Sequence, residues 1–190
     1  MLTFSILNMK ISDVRSIMET GLGWIKEPMQ RIKYDKKIEL PIQKGGIMPA
    51  TGVFYYPCIN EQKLIFVSNS ADGWNSLLYC ITRNESFEYL SFRILPGEFP
   101  LMEMQLMRNE KCVRFVRVMK DEKWSFYQIG APLWFENIEY YARRLISNRV
   151  NLDLLLLYSK KNGVDFSSPL FFKTKMESLW VYENSPRSDP

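Results

Sequence analysis

Apolar positions along the chain change their spacing several times, and each change predicts an element. After Ser12, a good helix N-cap followed by Asp13, the residues Val14, Ile17 and Met18 recur at helical spacing until Gly21 stops them. Leu64 to Val67 form a short apolar run that reads as a buried strand. A second helix is expected from Asp72, because Trp74, Leu77, Leu78 and Ile81 fall on one helical face. The period then switches to two: Leu90, Phe92 and Ile94 alternate, as do Met102, Met104 and Leu106. Val113 to Met119 and Trp124 to Ile129 continue the pattern, separated by the polar turns 108–111 and 120–123. Turns this short permit only antiparallel neighbours, so the block is a meander.

Helical spacing returns near the end. Ile138, Tyr141, Ala142, Leu145 and Ile146 predict a third helix, with Glu139 and Arg143 paired on its outer side. A fourth is expected over Leu152 to Lys160, capped by Asn151, largely buried, and ended before Gly163. A last strand is expected near Leu179 to Tyr182. The resulting fold class is α+β: one antiparallel meander with helices at both of its ends in the chain. No repeat or linker divides it. A single domain over 1–184 with a flexible tail at 185–190 is the expected organisation. Residues 22–52 carry little periodicity, and the stretches 44–46 and 49–52 read as loop.

Composition supports a folded, soluble domain. Of 190 residues, 46% are hydrophobic and 24% charged, and 12 Phe, 10 Tyr and 5 Trp supply core material. The cysteines, Cys58, Cys80 and Cys112, are odd in number and have no C-x-x-C spacing, which argues against disulfides and structural zinc. A reducing, cytoplasmic location follows as an expectation. The longest apolar run, Leu154 to Leu157, is far too short for a membrane span, and Met1 to Leu7 lack the features of a signal peptide.

The net charge of +4 is unevenly spread. Residues 51–107 are net −3, whereas 108–124 are net +3. The basic residues of that second stretch, including Lys111, Arg114, Arg117 and Lys120, alternate with acids. A strand would also send Arg114 and Arg117 to opposite faces, so nucleic acid is an unlikely partner.

The chain contains no histidine. Ser–His and Cys–His nucleophile systems are therefore absent, together with the commonest metal ligand. Two carboxylate pairs, Glu98 with Glu103 and Glu85 with Glu88, leave a histidine-free hydrolase as an alternative. Surface placement of these acids is the simpler reading. Cys112 has Lys111 and Arg114 beside it in sequence, which could activate a thiol, but free cysteines are mostly inert core residues. No cofactor and no metal site is expected, and the glycine-containing stretch 45–52 lacks the Gly-Lys-Ser/Thr ending of a phosphate loop.

What remains favours binding. Adjacent aromatics occur at Tyr55-Tyr56, Trp134-Phe135 and Tyr140-Tyr141. Exposed Tyr, Trp and Arg are the residues that anchor interfaces. Trp134 and Glu136 at the rim of the third helix, with Tyr140, are the partner-binding candidates there. Asp72 and Trp74 form a second candidate group in the strand-to-helix stretch 68–74, where a helix N-terminus could receive an anion unless Asp72 takes its donors. Trp74 also lies on an apolar stripe, so core packing competes with that role.

In its size, its lone α+β domain, its lack of a catalytic set and the stretch Ser68–Leu77, the chain resembles the immunity proteins of bacterial polymorphic toxin systems. The resemblance implies a cytoplasmic protein that binds and neutralises a cognate toxin domain. Because many immunity proteins against nucleases are acidic and this chain is basic, it further implies a toxin with another target. A phage or host-factor binding protein that blocks a defence system is the alternative of the same kind.

Overall fold

In the computed structural model, which describes residues 1–21, 30–33, 36–40, 49–83 and 87–183, the alternating segments join one nine-stranded sheet. The elements in chain order are β1 (Leu2–Leu7), α1 (Ile11–Gly21), β2 (Gln30–Lys33), β3 (Lys36–Lys37), β4 (Thr51–Tyr55), β5 (Leu64–Ser68) and α2 (Asn75–Thr82). They continue with β6 (Glu88–Leu95), β7 (Leu101–Arg108), β8 (Lys111–Lys120), β9 (Trp124–Ile129), α3 (Leu152–Lys161), β10 (Lys173–Thr174) and β11 (Glu177–Tyr182). The sheet order is β2-β11-β4-β5-β1-β6-β7-β8-β9, every pairing is antiparallel, and β3 pairs with β10 separately. The fold is α+β.

Both faces of the sheet are covered, but not equally. On one face, α1 and α2 bury Phe54, Leu64, Phe66, Leu179 and Val181 with their own Val14, Met18, Leu77, Leu78 and Ile81. On the other, α3 and the segment around it bury Phe4, Val53, Ile65, Phe92, Met104, Val116 and Val118 under Phe135, Tyr141, Leu155, Tyr158 and Phe171. Each such side chain contributes about 1.5–3 kcal/mol when fully buried. The two-residue alternation decides which core a residue joins: Phe4 and Ile6 enter the second, whereas Thr3, Ser5 and Leu7 of the same strand face the first. Ser5 and Ser91 satisfy each other there, their hydroxyls 2.6 Å apart.

β1 is a central strand, paired with both β5 and β6, although its residues carried no strand expectation. Its alternation of Leu2, Phe4 and Ile6 with Thr3 and Ser5 is the period-two signal of a strand covered differently on its two faces. Of the stretch read as loop, Thr51 and Gly52 belong to β4, and 44–46 fall outside the described residues, as does the 185–190 tail. Gly52 is required where it stands: a Cβ there would meet the Phe66 ring at 2.5 Å.

The expected third helix is absent. Residues 138–148 form two 3-10 turns, Ile138–Ala142 and Ile146–Asn148, broken by extended backbone at Arg143 and Leu145. Ile138 and Leu145, two residues of the supposed buried face, are 57% and 62% exposed. Arg143 does not pair along a helix with Glu139; its guanidinium lies 3.5 Å from the centre of the Tyr140 ring. The other helices follow expectation more closely. Asn151 caps α3, its side chain accepting from the Leu154 N–H at 2.9 Å. Leu154 and Leu155 are buried, but Leu152 and Leu157 are exposed, so the leucines do not bury the helix all round. α2 begins at Asn75 rather than Asp72.

Candidate functional site

Arg114 is the largest fully buried side chain among the described residues. It lies on β8 just past a bulge, where the pairing slips from Leu106–Arg114 to Met107–Cys112, and points inward beneath Tyr141. A buried guanidinium is tolerated only if its charge and all five N–H groups find partners. Here they do. Nε and Nη2 grip the Glu136 carboxylate at 2.9 and 2.7 Å, Nη2 also reaches Gln128 Oε1 at 3.1 Å, and Nη1 donates to the carbonyls of Ile129 and Gly130 at 3.1 and 2.7 Å. The two charged side chains are 1% and 0% exposed.

Glu136 is equally committed. Besides Arg114 it accepts the Leu133 N–H at 2.8 Å and the Tyr141 hydroxyl at 2.6 Å. Tyr141 is followed by the Tyr158 hydroxyl at 3.1 Å, which takes the Asn137 N–H at 2.9 Å. Burial would lower the Arg114 pKa, but the hydrogen bond and charge of Glu136 outweigh it and hold the guanidinium above its ordinary value. Burial, with Glu136 as acceptor, drives Tyr141 far above the usual phenol range, so it stays a donor. Gly130 closes the device. Its φ is +77°, and a Cβ there would lie 1.9 Å from the Val113 carbonyl oxygen.

The network therefore fastens both ends of the segment 129–137: its start through the carbonyls of Ile129 and Gly130, its end through Glu136 and Asn137. What that segment presents is Trp134, 79% exposed, the most exposed large hydrophobic of the described chain. Its ring sits edge-on to buried Phe135, 5.5 Å between centroids. The two residues line a cavity of about 340 Å³ with an apolar wall of Ile6, Leu90 and Leu106. Lys63, Glu88 and Arg108 also line it, the latter two ion-paired at 2.7 Å. Lys161 ties in from α3 by donating to the Phe135 carbonyl at 3.0 Å.

The five residues singled out from sequence thus separate. Trp134 is on the surface as expected. Glu136 is not a rim residue; it is the buried acid that positions that rim, because Arg114 demands a counter-charge. Tyr140 is half-buried under Arg143. Trp74 is 4% exposed and packs near Phe66, so its ring offers no surface to a partner. It also sits in left-handed backbone, φ +56°, before α2. Asp72 is exposed, and its Oδ1 accepts from the Trp74 N–H at 2.9 Å, one residue before α2 begins, rather than from the first N–H groups of the helix. Arg114 was legible only as a basic strand residue; its alternation with the inward Val116 and Val118 is the signal that could have found it.

The other chemistry disperses. Glu98 is exposed in the turn after β6, whereas Glu103 is buried on β7 between two arginines; Glu85 falls outside the described residues. The Arg114 guanidinium turns away from Cys112, which shares the opposite face with Met107 and Tyr89. Arg114 and Arg117 do face opposite sides of the sheet. Among the described residues no group of three or more acidic or cysteine side chains could hold a metal ion, and no helix is long and apolar enough to cross a membrane. No family model, curated protein or solved structure matches the chain.

Proposed function

We propose that the chain works by binding another protein through Trp134, and that it is an inhibitor of the immunity type, neutralising the toxin domain of a cognate antibacterial system in the bacterial cytoplasm. The observation that supports this reading is a tryptophan 79% exposed on a segment whose both ends are fixed to a fully buried ion pair. Exposing an indole to water costs free energy that burial elsewhere would recover. Holding it still beside a cavity lowers the entropy lost when a partner covers it, which is how preorganised anchors gain affinity. Tryptophan at the centre of an interface is a frequent hot spot. The absence of histidine from the sequence supports binding over hydrolysis in the same way.

The test is co-purification of the tagged chain with the products of the neighbouring reading frames, followed by calorimetry on any complex. A stoichiometric complex with a toxin-like domain, stable in high salt and weakened roughly 30-fold or more by Trp134→Ala, is the expected outcome. Recovery of the chain alone while its neighbours are expressed rejects the immunity reading. A complex indifferent to Trp134→Ala rejects the anchor.

A further inference from the structure

The half of the sheet that α1 and α2 leave uncovered carries a second feature, on the face opposite Arg114. In register across neighbouring strands stand Arg93 on β6, Glu103 on β7, Arg117 on β8 and Tyr127 on β9. Glu103 is 6% exposed, and the arginine side chains beside it are 26% and 36% exposed. We propose that this cross-strand row is a docking site for carboxylate side chains of an acidic protein segment.

The two guanidinium groups are underused. Their closest approaches to the Glu103 oxygens are 3.9 Å for Arg93 and 4.0 Å for Arg117, well beyond the roughly 2.7–2.9 Å of a charge-assisted hydrogen bond. The Nε of each is buried without a partner among the described residues. Arg114, by contrast, uses every donor it has. Buried donors left unmade cost about 1–3 kcal/mol each, and an acceptor that draws these partly exposed guanidinium groups outward recovers that. The row has two positive charges against one negative, so it also favours an anion in net charge.

Its surroundings select the kind of anion. Arg117 lies against the Phe115 ring at 5.4 Å, and Phe115 meets exposed Tyr127 edge-on at 5.8 Å. Arginine interleaved with Tyr and Phe is the composition of a protein interface. Tracking a nucleic-acid backbone would need a stripe of basic residues, and this face offers two. Two guanidinium groups on strands β6 and β8 lie about 10 Å apart at their Cα atoms, a separation two strand spacings give, and suit two acidic side chains of one segment. The site lies on the other side of the sheet from the Trp134 cavity and does not depend on it.

The test follows the arginine Nε–H resonances of the ¹⁵N-labelled chain during titration with hexaglutamate, against inorganic phosphate at matched ionic strength. Saturable shifts of Arg93 and Arg117 with hexaglutamate, weakened roughly tenfold or more in Arg117→Ala, support the site. Glu103→Gln, which removes the competing carboxylate without removing a donor, tightens binding severalfold, and Trp134→Ala leaves it unchanged. Three results overturn the proposal: shifts equal to those in phosphate, shifts that survive Arg93→Ala with Arg117→Ala, or weaker binding in Glu103→Gln.

Discussion

Replacing Glu136 by alanine tests the central claim, that the Arg114–Glu136 pair is the fastening of segment 129–137. Glu136→Ala removes the acceptor of two strong Arg114 bonds at 2.7 and 2.9 Å, strands the Leu133 N–H and leaves the Tyr141 hydroxyl with Tyr158 alone. The guanidinium keeps Gln128 and two carbonyls but loses its counter-charge at 1% exposure. Breaking one side of a buried pair costs about 3–5 kcal/mol, mainly because the other charge stays buried. For a domain of this size each kcal/mol lowers the Tm by about 2–4 °C, so a fall of roughly 6–20 °C is expected. A thermal melt followed by far-UV circular dichroism measures the Tm, and urea unfolding followed by tryptophan fluorescence the free-energy loss. The double variant Arg114→Met with Glu136→Leu must be markedly less destabilised than the sum of the single variants, since replacing the whole pair by apolar groups leaves no orphan charge. A Glu136→Ala protein within about 1 kcal/mol of wild type, or a double variant equal to that sum, refutes the reasoning.

The remaining predictions use the same measurements. Trp134→Ala, at 79% exposure, changes stability by no more than about 0.5 kcal/mol while removing the anchor, so stability and binding separate at this residue. Gly130→Ala destabilises by about 1–3 kcal/mol, because positive φ and a contact 1.9 Å from a backbone oxygen leave no relaxed placement. Tyr141→Phe loses the donor to Glu136 and costs about 1–3 kcal/mol, less than Glu136→Ala, as a thermal melt will show. Burial raises the Glu103 pKa although Arg93 and Arg117 oppose it. The folded state therefore holds that proton more tightly than the unfolded chain. Its contribution to stability is complete below the ordinary glutamate value of about 4.3 and is lost as pH rises through the raised value. Glu103→Gln must flatten this part of the stability profile, gaining on wild type as pH rises; parallel profiles would show that burial is outweighed.

The meander was legible because its strands carry one face each. Leu90, Phe92 and Ile94, then Met102, Met104 and Leu106, meet the same helical layer, and the turns between β7, β8 and β9 are too short to mislead. β1 was missed through length: six residues alternating only weakly look like a short apolar patch until β5 and β6 pair with them. The 138–148 segment failed for the opposite reason. Its spacing fits a helix template, but Tyr141 is drawn inward to Glu136 while Ile138 and Leu145 have nothing to pack against. Isoleucine and tyrosine are only middling helix formers, so one demanding tertiary contact overrides the local pattern.

The candidate site was half legible for a related physical reason. Aromatic doublets flag Trp134, because an exposed indole and a buried neighbour need only alternate along the backbone. Glu136 was read as a rim residue since acids near aromatics usually are. What reverses that reading is Arg114, and an inward arginine cannot be told from an outward one by type alone. Register tells them apart: Arg114 continues the inward row of Val116 and Val118, beneath Tyr141 and on the face opposite Arg117, and the bulge at Val113 shifts only the residues before it. Once a guanidinium is inside, burial requires a carboxylate within hydrogen-bond reach, and Glu136 is the acid that the turn at Gly130 brings there. The positioning of Trp134 follows from that requirement.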